Sequence, residues 1–389
     1  MKSVAKSVLA ATLALGLAQA AAAQVPGVTD TEIRIGTFGP ITGGNYVFGK
    51  HPMNGLELIF KKVNDAGGVH GRKLTLVRQD DQCDPANSIA SVRRLIHTEK
   101  VFAIVGGSCS NGVIAAKPDI IEAKIPFINF AAASALISTP KQENIFTTML
   151  TSHLESKLQA RYLKEQNKSR IAVVSIRDAW GRDRYDTLIA ALKEQGLQVV
   201  ADEEISNEVN DATAQVLRVR AANPDGVVIL NYPKPSAIFL RDAARLGFKS
   251  LFIGTSAIPD PVAFYEQVNV PGATDNFLTI SPSRYAITSE NAKEWRDRLA
   301  ALLPDERPHG YHLYGIVAGQ VLVAALEAAG RDLTQAKLIA ALDGLKGFAS
   351  DVAPGPLTCA GDHQCLKAAS WIRRSPDGKI EILSQTALH

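Results

Sequence analysis

Residues 33–79 read IRIGTFGPITGGNYVFGKHPMNGLELIFKKVNDAGGVHGRKLTLVRQ. The stretch 33–38 is short, mostly apolar and bounded by a glycine-rich run from Gly39 to Gly49, so it reads as a strand entering a loop. Residues 52–66 place Leu56, Ile59, Phe60 and Val63 on one helical face, and Gly67-Gly68 stop the helix. Residues 74–79 then alternate as a second strand. Strand, loop, amphipathic helix and strand make the β-α-β unit of a parallel sheet.

The same unit recurs downstream. Helix 85–98, with Pro85 at a favourable first position, leads to strand 102–105, helix 111–123 and strand 126–130. A second block begins with helix 152–166 and strand 170–176. Helices 181–195, 211–222 and 235–246 then alternate with strands 198–203, 226–230 and 251–254. The tail holds strand 277–280, helices 289–302, 308–329 and 333–342, and a terminal hairpin around Ser375-Pro376-Asp377-Gly378. Two runs of βα units, each large enough for a core, predict an α/β protein with two doubly wound domains.

Upstream lies an address. Lys2 and Lys6 precede an apolar run at 8–17 and the small residues Ala21-Ala22-Ala23. This is the layout of a secretory signal peptide, with cleavage expected after Ala23; the run is too short to cross a bilayer. Export changes how Cys83, Cys109, Cys359 and Cys365 read, because an even count in an oxidising compartment suggests disulfides. Spacing pairs Cys359 with Cys365 and leaves Cys83 with Cys109. The whole chain carries 42 Lys+Arg against 39 Asp+Glu. That near balance speaks against the concentrated basic face of a nucleic-acid partner.

Ligands of open parallel sheets sit beyond the carboxyl ends of the strands. In the first block those ends lead to Tyr46 and Phe48, to Ser108-Cys109-Ser110-Asn111, and to Ala131-Ala132-Ala133-Ser134. Hydroxyls and free N–H groups at helix starts suit a carboxylate; as plain helix caps, Ser110, Asn111 and Ser134 would need no ligand. In the second block the strand ends lead to Arg177-Asp178-Ala179-Trp180, Asn231-Tyr232 and Thr255-Ser256. No nucleophile elbow, phosphate loop or zinc-protease motif is present. His309 and His312 lie three apart without an evident partner set, so no metal or cofactor is expected.

The glycine-proline loop with its aromatic-glycine step resembles the leucine/isoleucine/valine-binding proteins of bacterial ABC transporters. So do the helix ending Val63-Asn64-Asp65-Ala66-Gly67-Gly68-Val69-His70-Gly71-Arg72, Asp80-Asp81-Gln82-Cys83-Asp84-Pro85, Gly106-Gly107-Ser108-Cys109-Ser110, Trp180-Gly181, Tyr232 and Gly247-Phe248. The resemblance covers essentially the mature chain and implies a type I periplasmic binding-protein fold with a three-crossing hinge near Thr151, Ser281 and Val352. It places residues 24–150 and 281–352 in one lobe and 151–280 and 353–389 in the other. It also implies the Cys83–Cys109 bridge, periplasmic residence, and a monomer that closes on its ligand and is recognised by a membrane permease with its ATPase.

Carried over by position, the resemblance implies that Ser110 binds a ligand carboxylate and that the Ala131-Ala132-Ala133 turn offers backbone groups. It makes Phe48, Trp180 and Tyr232 an aromatic wall, with Tyr46 on the same loop. Ala133 stands where a hydroxyl is common, with Ser134 beside it. Ser256 stands where the amino-acid binders carry an acid for the ligand ammonium, and Asp260 is offered as its substitute. Arg177 is offered as partner for a second acidic group. This favours a small organic carboxylate, aromatic in one version, with a branched-chain-type amino acid as competitor. A ligand sensor for a membrane receptor and a small amide or ester hydrolase are the rival classes.

Overall fold

The computed structural model describes residues 25–388; the signal peptide and cleavage point expected from the sequence lie outside them. The first sheet has the order β2-β1-β3-β4-β5, from β1 (Glu32–Gly39), β2 (Lys73–Asp80), β3 (Ala103–Gly106), β4 (Phe127–Asn129) and β5 (Ile145–Thr147). Every pair is parallel, with Ile35 beside Leu76 on one side and Ala103 on the other. The sequence reading does not include β5, a three-residue strand that follows the loop after β4 with no α-helix before it.

Three helices connect these strands: α1 (Val47–Asp65), α2 (Pro85–Arg93) and α3 (Ser110–Glu122). Pro85 occupies the first turn of α2, and the Asp84 side chain caps it by accepting from Asn87 N–H at 2.9 Å. α1 starts five residues before the expected boundary and carries Pro52 inside it.

The second lobe runs through α4 (Ser152–Glu165), β6 (Arg170–Ile176), α5 (Ala179–Glu194), β7 (Gln198–Ile205), α6 (Thr213–Ala221) and β8 (Gly226–Leu230). It continues with α7 (Pro233–Arg245), β9 (Leu251–Ile253), α8 (Pro261–Val268) and β10 (Phe277–Ser281). After α9 (Lys293–Leu302), α10 (Tyr311–Ala329) and α11 (Gln335–Asp343), the chain adds β11 (Ala368–Arg374) and β12 (Ile380–Ala387). The sheet order is β12-β11-β10-β9-β8-β6-β7. β11 and β12 form the expected hairpin and pair antiparallel to an otherwise parallel sheet.

The tail helices return to the first lobe. α10 is buried along most of its length and crosses α1 closely. A Cβ on Gly55 would strike the His312 carbonyl, and one on Gly315 would strike the Pro52 carbonyl, so both positions need glycine. By length and composition α10 passes for a membrane span, with mean hydropathy 1.4, yet 67% of it is buried within the protein. A core helix enclosed on most sides has no need of a polar face.

The segment that follows Val352 runs along the first sheet before it reaches β11. Cys365 N–H donates to the Thr147 carbonyl, and Thr147 N–H to the His363 carbonyl, so the segment through Cys365 edges the first sheet. Residues 363–365, placed in the second lobe by the sequence reading, pair with β5 of the first sheet. Both disulfides are present, Cys83–Cys109 and Cys359–Cys365.

Candidate functional site

A cleft of about 230 Å³ opens where the strand ends of the two lobes face each other. Of the residues singled out from the sequence, Phe48, Ser110, Ala131, Ala133, Trp180, Tyr232 and Ser256 line it. Asn45, Ser108, Asn111, Met149, Asp178, Arg184, Asn207, Ala257 and Tyr311 line it as well, with the Cys83–Cys109 bridge.

The first-lobe wall is small and rich in donors. α3 begins at Ser110, so its first N–H groups have no partner within the helix. Ser110 Oγ accepts from Ser134 N–H at 3.2 Å, leaving its own proton to donate. Ser108 Oγ is buried and has no hydrogen-bond partner among the described residues. Asp80 ties the loops behind this wall together. Burial opposes its ionisation, but bonds from the Thr42 hydroxyl and the N–H groups of Ile41, Gln82 and Thr42 outweigh burial and hold its pKa below the usual carboxylate value.

The second-lobe wall is bulky. Trp180 and Tyr232 stack at 4.6 Å, and Phe48 from α1 meets the Tyr232 ring at 6.3 Å and Tyr311 edge-on at 5.3 Å. Burial, then the charge of Asp178 and its hydrogen bond, push the Tyr232 hydroxyl far up, so it stays protonated. Arg184, on the second turn of α5, lies 4.3 Å over the Trp180 ring. Its guanidinium pairs with Glu155 of α4 at 3.2 Å, and both side chains are essentially buried. Glu155 also accepts from the Ser256 hydroxyl at 2.5 Å and from Ser256 N–H at 3.2 Å. Thus an acid does reach Ser256, from α4 and not from the strand end, and arrives already paired.

Five expected residues have other roles. Tyr46 is 42% exposed and leans edge-on against His51. Ala132 is buried behind the wall, its N–H shared between the Gly107 carbonyl and Asn129 Oδ1. Ala131 N–H also goes to the Gly107 carbonyl, so this turn supplies small side chains more than free donors. Ser134 accepts from Leu136 N–H, and Asp260 caps α8 through Val262 and Ala263. Arg177 points outward and pairs with Glu204 at 3.1 Å.

Two tyrosines on α10 join the lobes beside the cleft. Tyr311 Oη donates to the Ala257 carbonyl at 2.9 Å, and Tyr314 Oη to the Ser256 carbonyl at 2.8 Å. Behind Tyr311 sits a histidine cluster: His309 stacks on Tyr311 and on His51, and His51 meets His312 at 4.7 Å. His309 and His312 therefore do have partners, which the sequence hides because His51 is more than 250 residues away. Burial, then the charges of neighbouring groups, lower His51 to about 2, so it is neutral near pH 7.

The sequence model of the family described as periplasmic binding protein matches residues 32–379. The chain belongs to the periplasmic binding protein family. An amino acid binding protein of Pseudomonas aeruginosa is 26% identical over 304 residues, 77% of this chain and 79% of that one. The leucine-specific-binding protein of Salmonella typhimurium is 25% identical over 363 residues, 92% of each chain. A solute-binding protein of an ABC transporter from R. palustris, in complex with 4-hydroxybenzoate, superposes with a TM-score of 0.77 at 19% identity. That likeness covers 92% of this chain and 97% of the other, and it shows the fold. These relatives are binding proteins, and this chain is a substrate-binding protein of that family and not an enzyme.

Proposed function

We propose that this periplasmic binding protein is the solute-capturing component of an ABC importer and that its ligand is a small organic carboxylate with a flat apolar body. The observation that carries this reading is the Glu155–Arg184 pair. The acid that reaches Ser256 is spent on a buried guanidinium, so no free carboxylate waits there for a ligand ammonium. Donors instead collect on the opposite wall, where Ser108, Ser110 and the start of α3 suit a carboxylate. Phe48, Trp180 and Tyr232 then flank the body of the ligand. Closure about the three interlobe passages would bring the walls together, and a permease with its ATPase would read the closed form. Removal of the leader after Ala23 belongs to the same reading, and the N-terminal mass of the exported protein tests it.

An α-amino acid is the second reading, favoured by Asp178. It is the only acidic residue lining the cleft among the described residues. Its oxygens already cap α5 at Gly181 N–H and meet Tyr232, which weakens it as an ammonium partner. The leucine-specific relative and the 4-hydroxybenzoate complex share a carboxylate, so the names of the relatives do not separate the readings.

A thermal-shift comparison separates them. The mature protein is refolded to strip carried-over ligand, then challenged with aliphatic amino acids and, separately, with benzoates and aliphatic acids lacking an amine. Ligand at a thousand times its Kd adds about 4 kcal/mol. A shift with the amine-free acids is expected. A shift with amino acids alone would overturn the reading and assign the ammonium to Asp178.

A further inference from the structure

We propose that His51, Glu306 and His312 bind one divalent transition-metal ion of the zinc class, at the first-lobe rim of the cleft. One donor atom from each of the three lies within 4.8 Å of the others. His51 comes from the first turns of α1, Glu306 from the loop before α10, and His312 from the start of α10.

Two ring nitrogens of this cluster, His51 Nδ1 and His312 Nε2, are buried without a hydrogen-bond partner among the described residues. His312 is fully buried, and its Nε2 has no hydrogen-bond partner among the described residues. Its Nδ1 lies 2.9 Å from the His309 carbonyl. His309 N–H lies 3.1 Å from the same nitrogen, so Nδ1 can accept or donate. In the tautomer with the proton on Nδ1 it donates to the carbonyl and the Nε2 lone pair faces the cluster, the form a metal would select. A ring nitrogen bonded to a backbone carbonyl, with the other nitrogen free, is the usual arrangement of a metal-ligating histidine. His51 Nδ1 lies 2.8 Å from Glu306 Oε1 yet is out of line for a hydrogen bond. Lys50 holds the other Glu306 oxygen at 2.8 Å, which leaves Oε1 as the ligand.

Two imidazoles and a carboxylate are a donor set suited to Zn²⁺, and imidazole also suits Cu²⁺ and Ni²⁺. Donors at about 2.1 Å from a tetrahedral zinc stand roughly 3.4 Å apart. Adjustment on the order of an ångström among these three side chains would complete three ligands and leave a fourth position for water. His309, stacked on His51 at 4.7 Å and on Tyr311 at 5.0 Å, links the site to the cleft wall. Bound there, the ion ties the start of α1 to the entrance of α10, the two segments that present Phe48 and Tyr311.

The test uses the mature protein, purified without a histidine tag and stripped with chelator. Calorimetric titration with Zn²⁺ is expected to saturate at one equivalent. Co²⁺ is expected to give visible absorption that saturates at the same ratio and is displaced by Zn²⁺. His51→Gln and Glu306→Gln should each weaken binding by about a hundredfold or more, since even outer partners of metal ligands are worth ten- to a hundredfold. His70→Gln and His97→Gln should leave it unchanged. X-ray absorption of the wild-type zinc form needs no variant and should show two imidazoles. No saturable one-equivalent binding, binding untouched in both ligand variants, or a zinc shell without two imidazoles would each overturn the proposal.

Discussion

The two walls of the cleft are held in place by opposite means. The first-lobe wall around the start of α3 is made of small residues and open donors, with Phe48 of α1 and Tyr311 of α10 at its rim, and the Cys83–Cys109 bridge joins the loops that follow β2 and β3. The second-lobe wall is made of large rings propped by a buried ion pair, Glu155–Arg184, with Arg184 beneath Trp180. A covalent tie fixes backbone and leaves polar groups free to meet a ligand. An ion pair fixes side chains by consuming their charges. The wall with open hydroxyl and N–H donors is suited to an anion; the opposite wall is suited to an apolar body, with Arg184 Nε a donor there that has no partner among the described residues.

The sharpest way to break this comparison is to remove one member of the ion pair. Glu155→Ala strands the Arg184 charge inside the second lobe. Losing one partner of a buried pair costs about 3–5 kcal/mol, because the survivor remains desolvated. Urea denaturation should show that loss in Glu155→Ala and in Arg184→Ala. The double variant Glu155→Leu with Arg184→Met should recover much of it, since apolar replacements of similar size are often neutral. A single-variant loss below about 1 kcal/mol would mean the pair does not hold the wall. The same geometry argues against Ser256→Glu as a route to an amino-acid binder. The new carboxylate would face Glu155 with one guanidinium between them.

The covalent side is next. The bridge closes a loop with a sequence separation of 26 residues, for which chain entropy gives about 3.5 kcal/mol. The paired variant Cys83→Ser with Cys109→Ser should lose that much stability in urea. It should also weaken ligand binding, because Cys109 immediately precedes Ser110 at the start of α3. Breaking Cys359–Cys365, which lies away from the cleft lining, should lower stability and leave affinity unchanged. Equal effects on affinity from the two bridges would remove the functional meaning of the first.

The contrast also explains what the sequence shows and hides. The β-α order is legible because each strand and helix carries its own period, and Phe48, Ser110, Trp180 and Tyr232 are legible because they directly follow strand ends or sit at loop turns. Glu155 and Arg184 look like ordinary charged helix residues. Arg184 stands among Arg182, Asp183 and Asp186, and only the packing of α4 on α5 turns it inward. Tyr46 and Asp260 mislead for the converse reason. Their positions beside loops are as expected, but one turns outward and the other is spent on its own helix. The edge pairing on β5 is hidden as well, because Thr147 with His363 and Cys365 joins segments more than 200 residues apart.

A smaller effect tests the donors. Ser108→Ala and Ser110→Ala remove hydroxyls and little volume. If each donates to a carboxylate, each loss costs about 1.5–3 kcal/mol of binding, or roughly ten- to a hundredfold in Kd. The protein's own stability should hardly move with Ser108→Ala, since Ser108 Oγ bonds nothing among the described residues. Unchanged Kd for a carboxylate ligand in both variants would place the anion elsewhere.

The smallest effect separates stacking from bulk on the opposite wall. Trp180 contributes area, a face to Tyr232 and a lid over Arg184. Trp180→Phe keeps most of the area and an aromatic face, whereas Trp180→Leu removes the face. Aromatic pairing is worth about 0.5–1.5 kcal/mol beyond area. For an aromatic carboxylate, Trp180→Leu should therefore weaken binding by up to about tenfold, and Trp180→Phe by less. For an aliphatic acid of similar length the two variants should differ little. A ligand series read this way decides whether the second wall recognises a ring or only excludes water, because only a ring senses the difference between a flat face and an equal apolar volume.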